Sequence, residues 1–195
     1  MQFNEIGDLN NVANLVYKDF SHLEQTIDRR HFGKIRRVFR DDLIKEWLGG
    51  KEYSIDYHHM KIKIEGEEYG FSSSYSGYKM IVIKSVTKVG IDLEMYNRIS
   101  LNNIHLFISA DELNSLGFEF KSLTTSEKST LIWCIKESVG KLFNVGLSKG
   151  FDTFTLKRSD KVYLSTFLNL SHEKKLNISY KMFNDYCIVF AEFQE

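Results

Sequence analysis

The chain has 195 residues, of which 43% are hydrophobic and 14% aromatic, so it carries enough apolar side chains for a buried core and is not a disordered chain. Lysine plus arginine and aspartate plus glutamate each total 26, so the formal net charge is zero and no overall field favours nucleic acid or an anionic membrane. The two cysteines, Cys134 and Cys187, are too few for a disulfide framework, and we expect buried free thiols.

No stretch reaches the roughly 18 apolar residues of a membrane span, and residues Met1 to Glu5 form neither a basic nor a long apolar segment. We therefore expect a cytoplasmic protein with neither membrane nor nucleic acid among its partners. A local patch must then bind any anionic ligand.

A helix followed by short strands is predicted for the first half of the chain. Apolar residues recur at helical spacing from Lys34 to Leu48, and Gly49-Gly50 ends the pattern. Alternation follows, with a change of phase near His58-His59 that indicates a bulge or a turn. The predicted strands are Tyr53 to Tyr57, Met60 to Ile64, Glu68 to Ser74, Tyr78 to Lys84 and Val89 to Glu94.

The second half repeats this order, with a helix from Ser126 to Asn144 and four strands after it. Those strands are Phe151 to Leu156, Lys161 to Leu170, Leu176 to Phe183 and Tyr186 to Phe193. The repetition predicts a duplicated α+β fold with two similar lobes, residues 1–95 and 96–195, and a ligand site between them. The chain has no proline and no low-complexity linker, so we expect one compact unit.

Two acidic segments are the strongest candidates for a site. In Gly90 to Glu94, alternation sends Asp92 and Glu94 to one face of a strand. In the second helix, Glu137 and Lys141 lie one turn apart, with Trp133 one turn before them on the side opposite the apolar face. Oxygen ligands alone favour magnesium, manganese or calcium over zinc, and lysines suit phosphate. The alternatives are a solvated edge strand and a surface ion pair.

Two further segments fit the same chemistry less specifically. The hydroxyl-rich run Phe71 to Tyr78, which includes Ser74 and Tyr75, can donate hydrogen bonds to phosphate oxygens, or can be an ordinary turn. A basic run can bind phosphates or an acidic partner, or can be a solvated helix face. It consists of Arg29, Arg30, Lys34, Arg36, Arg37 and Arg40.

Together these segments resemble the 4′-phosphopantetheinyl transferases, in the longer, two-lobed, surfactin-synthetase-type branch. The family signature Gly-Ile/Val-Asp-x-Glu is similar to Gly90 to Glu94, and Trp-x-x-Lys-Glu-Ser/Ala-x-x-Lys is similar to Trp133 to Lys141. Between them, Phe107-Ile108-Ser109 and Glu112 are similar to a Phe-Ser-x-x-Glu segment, and Gly146-Leu147-Ser148 and Phe154 follow. The resemblance covers roughly residues 30 to 156.

The resemblance implies a monomer with two pseudo-symmetric lobes, each a long helix on a mainly antiparallel sheet. It implies transfer of the phosphopantetheine arm of coenzyme A to a serine of an acyl, peptidyl or polyketide carrier protein, with release of 3′,5′-adenosine bisphosphate. Asp92, Glu94 and Glu137 would hold Mg²⁺, and Glu137 would also help to deprotonate the serine. Lys136 and Lys141 would contact phosphates. Arg29 or Arg30 would bind the adenosine 3′-phosphate.

The chain differs from the family pattern at two places. The family's Ser-His-Ser segment, in which the histidine contacts a phosphate of coenzyme A, here reads Ser74-Tyr75-Ser76. The family's Gly-Lys-Pro segment is replaced by Ile64-Glu65-Gly66-Glu67-Glu68. The alternative function is therefore a family member that binds coenzyme A or a carrier protein without efficient transfer.

Overall fold

The computed structural model describes residues 14–96, 98–99, 101–116, 122–145, 154–159, 162–167 and 174–194. The first half contains β1 (Leu15–Asp19), α1 (Arg29–Trp47), β2 (Tyr53–Asp56), β3 (Lys61–Ile64), β4 (Glu67–Ser76) and β5 (Lys79–Ser85). The second contains β6 (Val89–Met95), α2 (Ala110–Leu116), α3 (Thr125–Phe143), β7 (Phe154–Ser159), β8 (Val162–Phe167), β9 (Lys174–Met182) and β10 (Tyr186–Phe193). Short 3-10 helices occupy Ser21–Leu23 and Leu101–Leu106.

The strands form two five-stranded sheets with the same connectivity. Their orders are β1-β5-β4-β3-β2 and β6-β10-β9-β8-β7, and every pair is antiparallel. In each sheet the first strand pairs with the last, and the four later strands follow as a meander. The predicted α+β fold with antiparallel sheets is therefore confirmed. The pseudo-two-fold relation and the lobes 1–95 and 96–195 stay predictions, and the chain passes between the sheets where β5 connects to β6.

The helix α1 begins five residues before the predicted Lys34. Its N-cap is Asp28, whose carboxylate accepts hydrogen bonds from the backbone N–H of Arg30 at 2.8 Å and of His31 at 2.9 Å. Such a cap satisfies the free donors of the first turn. Its buried side includes Phe32 and Ile44. Because the helix begins at Arg29, the whole basic run from Arg29 to Arg40 lies on it.

The central helix α3 matches its predicted bounds within one residue. Thr124 and Glu127 form a capping box at its start, and Asn144 ends it in the left-handed conformation. Its core face packs on β6 and β10. Small polar residues on its other sides are also buried, including Ser129, Thr130 and Ser138, so α3 is enclosed rather than lying on the surface.

The two sheets share a core where β4 and β5 lie against β6. Buried apolar residues from both sheets form one cluster, which includes Ile81, Ile83, Ile91, Leu93 and Ile188. Serines of β4 face the same strand, because the Ser72 hydroxyl accepts a hydrogen bond from the Ile91 N–H at 3.0 Å. This contact brings the polar face of β6 next to the hydroxyl-rich face of β4.

Some elements of the structure were not predicted, and some predicted segments lie outside the described residues. The short elements β1 and α2 and the 3-10 helices were not predicted. Gly146-Leu147-Ser148 and the outer residues of the predicted strands Phe151 to Leu156 and Lys161 to Leu170 lie outside the described residues. Across the part of the chain that is described, no helix has both the length and the apolar character that a membrane crossing requires.

Candidate active site

The carboxylates of β6 are buried and hydrogen-bonded to serines of β4. Asp92 is 4% exposed and accepts a hydrogen bond from the Ser74 hydroxyl at 2.6 Å. Glu94 is 7% exposed and accepts one from the Ser76 hydroxyl. β6 is the first strand of its sheet, but β4 covers its polar face. The alternative of a solvated edge strand is therefore excluded.

Gly90 allows α3 to lie directly against β6. A Cβ atom at Gly90 would stand 1.9 Å from the carbonyl oxygen of Ser138 and 2.8 Å from the backbone nitrogen of Leu142. Both distances are below any van der Waals contact, so a larger residue would push the helix away. The glycine of the first motif thus sets the distance between the strand and the helix that carries the second motif.

This close packing brings Lys141 onto the strand. Its ammonium donates hydrogen bonds to the Asp92 carboxylate at 2.8 Å and to the Ile91 carbonyl oxygen at 2.9 Å. The Asp92 Oδ1 atom therefore receives Lys141 and Ser74, while its Oδ2 atom is buried without a hydrogen-bond partner. A buried carboxylate oxygen without a donor is costly and marks a position where a ligand atom fits.

Glu137 is half-buried beside these groups. Burial, followed by repulsion from Asp92, raises its pKa to about 7, although Lys141 acts in the opposite direction. Burial also raises the pKa of Glu94. Three carboxylates thus line one cleft. Lys141 forms an ion pair with Asp92, which differs from the alternative of a surface ion pair between Glu137 and Lys141.

Arg98 is a site residue that sequence reasoning missed. Its guanidinium donates hydrogen bonds to the Glu94 carboxylate at 2.8 Å and to the Ser76 hydroxyl at 3.0 Å. Its side chain is half exposed and reaches the cleft from the segment after β6. The sequence offers only its closeness to Glu94 as a signal.

These groups line one cleft of about 450 Å³, to which β6 and α3 contribute carboxylates and α1 contributes arginines. The acidic wall is formed by Asp92, Glu94 and Glu137, and Lys141 lies beside them. The remaining lining residues are Arg36, Arg37, Arg40, Arg98, Ser73, Ser74, Tyr75, Met80 and Trp133. Such a cleft suits an anionic ligand that carries or accepts a cation.

A second cavity of about 250 Å³ shares Arg36, Tyr75 and Arg98 with this cleft. Its other lining residues are Arg30, Phe32, Gly33 and Gly77. The predicted ligand residue Arg30 therefore lies at this second cavity, whereas Arg29 is the first residue of α1. The structure brings together Asp92, Glu94, Glu137, Lys141, Ser74 and Tyr75, and Arg30 lies beyond Tyr75.

Lys136 does not lie in the cleft, contrary to expectation. Its ammonium is fully buried and donates hydrogen bonds to the Glu112 carboxylate at 2.8 Å and to the Phe154 carbonyl oxygen at 3.0 Å. Glu112 also accepts a hydrogen bond from the Leu156 N–H at 2.8 Å. Lys136 points away from the side of the helix that carries Glu137. Through these contacts Lys136 and Glu112 tie α3 to α2 and β7.

The three carboxylates of the cleft meet a metal ion's needs only in part. Within the described ranges, no group of three or more Asp, Glu, His and Cys side chains forms a ready metal cage. The free Oδ2 atom of Asp92 and the raised pKa of Glu137 still indicate uncompensated negative charge. Because all the donors are oxygens, they fit Mg²⁺, which keeps several waters and takes further ligands from phosphate groups.

Comparisons with known proteins place the chain in a family. Residues 88–191 match the model of the 4′-phosphopantetheinyl transferase superfamily, which is more than half of the chain. The protein therefore belongs to this superfamily of transferases. A similar solved structure is the holo-[acyl-carrier-protein] synthase of Helicobacter pylori in complex with coenzyme A, with 18% identity and a TM-score of 0.41. The likeness covers 54% of this chain and 99% of that one. A search of the curated proteins gave no significant match.

Proposed function

We propose that this protein transfers the 4′-phosphopantetheine arm of coenzyme A to a serine of an acyl, peptidyl or polyketide carrier protein and releases 3′,5′-adenosine bisphosphate. The observation that carries the proposal is the meeting of Asp92, Glu94, Glu137 and Lys141 in a cleft that several arginines also line. Both motifs of the superfamily supply its acidic side. Membership of the surfactin-synthetase-type branch, a monomeric state and a cytoplasmic location belong to the same proposal.

The reaction is a phosphoryl transfer. The serine hydroxyl of the carrier attacks the phosphorus that bears the pantetheine arm, and a bond between the serine oxygen and phosphorus forms. The bond from that phosphorus to the oxygen bridging the two phosphates breaks, and the bridging oxygen leaves with the electron pair on 3′,5′-adenosine bisphosphate. Positioning and neutralisation of the phosphate oxygens supply most of the rate in such reactions.

Glu137 is suited to take the serine proton. With a pKa of about 7, a large share of this residue is ionised at neutral pH and is also basic enough to accept a proton. It lies beside Lys141, whose ammonium is anchored on Asp92 and the Ile91 carbonyl oxygen. Lys141 and Arg36, which line the same cleft, neutralise charge on the phosphate oxygens.

Asp92, Glu94 and Glu137 would hold Mg²⁺, or Mn²⁺ in its place. The ion, when bound, would neutralise negative charge on the pyrophosphate. Asp92 contributes its free Oδ2 atom, and Ser74 and Ser76 hold the β6 carboxylates in place. Ser74 and Tyr75 also line the cleft, and Tyr75 contacts Arg36.

The test is to incubate the protein with coenzyme A, Mg²⁺ and apo carrier proteins, and to follow the intact mass of each carrier. Addition of one phosphopantetheine group supports the proposal. No addition to fatty-acid, polyketide and peptide carriers would refute it. Calorimetry with coenzyme A then identifies the second candidate, a family member that binds coenzyme A without transfer, which the replacement of a histidine by Tyr75 motivates.

A further inference from the structure

We infer that Tyr75 is a positioning residue that holds Arg36 as the principal phosphate-binding cation at the boundary between the two cavities. The inference rests on the proposed function, because coenzyme A supplies the phosphates. Tyr75 itself is uncharged, and its role is carried out through the guanidinium of Arg36.

The contact between the two side chains is extensive. The guanidinium carbon of Arg36 lies 4.0 Å from the centroid of the Tyr75 ring, within the range of a cation–π interaction. A guanidinium nitrogen also donates a hydrogen bond to the Tyr75 hydroxyl. Arg36 is half-buried on α1, and Tyr75 is half-buried on β4. A helix side chain is thus fixed to the strand that carries Ser74.

The charge of Arg36 is uncompensated, which separates it from Arg40 and Arg98, and its half-buried position separates it from Arg37, which is exposed. Among the described residues, no carboxylate forms an ion pair with Arg36. Arg40 donates two hydrogen bonds to the Asp41 carboxylate at 3.0 and 3.1 Å, and Arg98 is paired with Glu94. A partly desolvated cation without an acidic partner is ready to bind an anion.

The position of Arg36 defines the class of ligand. Arg36, Tyr75 and Arg98 line both the cleft of about 450 Å³ and the cavity of about 250 Å³. The smaller cavity has Arg30, Arg36 and Arg98 on its lining and no carboxylate among its described lining residues. A ligand with two separated phosphate groups can therefore place one at the acidic wall, with a cation, and the other in the arginine-lined cavity.

Fixing the guanidinium in advance strengthens binding. An arginine side chain has many rotamers, and ordering such a chain on binding reduces affinity. The ring of Tyr75 restricts Arg36 before the ligand arrives. Removal of the ring should therefore weaken binding although Arg36 keeps its charge.

The same chain provides a matched control pair one helical turn away. The guanidinium carbon of Arg40 lies 4.3 Å from the centroid of the Tyr57 ring, and the hydroxyl of Tyr57 accepts a hydrogen bond from Arg40. Asp41 already neutralises and holds Arg40. Loss of the Tyr57 ring should therefore have little effect on an anionic ligand.

The experiment measures the dissociation constant of coenzyme A by calorimetry for wild type and for Tyr75→Leu, Tyr75→Phe, Arg36→Ala, Tyr57→Leu and the double variant of Tyr75→Leu with Arg36→Ala. We expect Tyr75→Leu to weaken binding about tenfold and Arg36→Ala about 10- to 100-fold. The double variant should match Arg36→Ala within about threefold, because the tyrosine acts through the arginine. Tyr75→Phe keeps the ring and should recover most of the loss, and Tyr57→Leu should stay within about twofold of wild type. Thermal unfolding of each variant confirms that it is folded.

Transfer assays on the same variants separate this inference from the proposed function. Tyr75→Leu should raise the KM for coenzyme A and leave kcat within about threefold, because Arg36 acts in binding. An equal loss of affinity for coenzyme A and for dephospho-coenzyme A assigns Arg36 to the pyrophosphate. A loss of affinity for coenzyme A alone assigns Arg36 to the phosphomonoester. Both outcomes support the inference. Wild-type affinity in Tyr75→Leu, or additive losses in the double variant, overturn it even if transfer occurs. Coenzyme A binding with the expected pattern but no transfer overturns the proposed function alone, and absence of coenzyme A binding by wild type overturns both.

Discussion

Replacing Lys136 by methionine should lower the stability of the fold and should not act directly at the active site. The ammonium of Lys136 is fully buried and contacts the Glu112 carboxylate and the Phe154 carbonyl oxygen. Methionine fills a similar volume and removes the charge. The variant then leaves Glu112, which is only 6% exposed, as a buried carboxylate without a cation.

The magnitude follows from the burial of this ion pair. Breaking a buried pair from one side costs roughly 3–5 kcal/mol. For a chain of this length each kcal/mol lowers Tm by roughly 2–4 °C, so Tm should fall by roughly 6–20 °C. The control is Lys51→Met, because Lys51 and Glu65 form an exposed ion pair that solvent screens. Its Tm should fall by less than about 4 °C.

Thermal unfolding and coenzyme A binding, measured on the same samples, test this reasoning. Adding Glu112→Gln to Lys136→Met should recover part of the lost Tm, since glutamine removes the buried charge and keeps an oxygen for the Leu156 N–H, although it gives up the acceptor for the Ser109 N–H. An unchanged Tm together with lost binding of coenzyme A would refute the assignment and would return Lys136 to the site as a ligand contact.

Four further predictions concern the packing at Gly90, the protonation of Glu137 and the burial of the two cysteines. Gly90→Ala should lower both Tm and the rate of transfer, because the new methyl group separates α3 from β6; wild-type values for both, in unfolding and transfer assays, would contradict this. The rate of transfer should rise as pH increases through about 7, where Glu137 loses its proton. Because the pKa of Glu137 is raised from 4.5 to about 7 in the folded state, its stabilising contribution is complete below pH 4.5 and is lost as pH rises through 7. Glu137→Gln should therefore flatten this part of the plot of unfolding free energy against pH. An unchanged slope would count against the raised pKa. An alkylating reagent, with labelling followed by intact mass, should leave Cys134 and Cys187 unmodified until the protein unfolds, because both thiols are buried and burial raises the pKa of Cys134. Rapid labelling of the native protein would disprove this.

The acidic half of the site could be predicted from the sequence because its geometry is local. Alternation alone places Asp92 and Glu94 on one face of a strand, and one helical turn separates Glu137 from Lys141. Helical spacing also placed Glu137 opposite the apolar face of α3. That position is half-buried, because β6 approaches α3 closely at Gly90. The contact across Gly90 is tertiary and has no signature in helical periodicity.

The basic half depends on tertiary contacts. Arg36 on α1 is held at the cleft by its contact with Tyr75 on β4. Arg98, which follows β6, is held there by its contact with Glu94. The sequence pattern of Arg29 to Arg40 is equally compatible with a solvated face. Lys136 was placed with the ligand residues because it lies next to Glu137 in the motif. Neighbours on a helix point about 100° apart, and this rotation directs Lys136 toward Glu112.

The central claim is that the carboxylates of β6 and α3 carry out phosphopantetheinyl transfer in one cleft. The most direct measurement is the rate at which an apo carrier gains the phosphopantetheine mass, for wild type, Asp92→Ala and Glu137→Ala at equal concentration with coenzyme A and Mg²⁺. Thermal unfolding of the three proteins confirms that each is folded. We predict that wild type modifies the carrier and that both variants fail to do so. Modification by both variants at the wild-type rate would contradict the account.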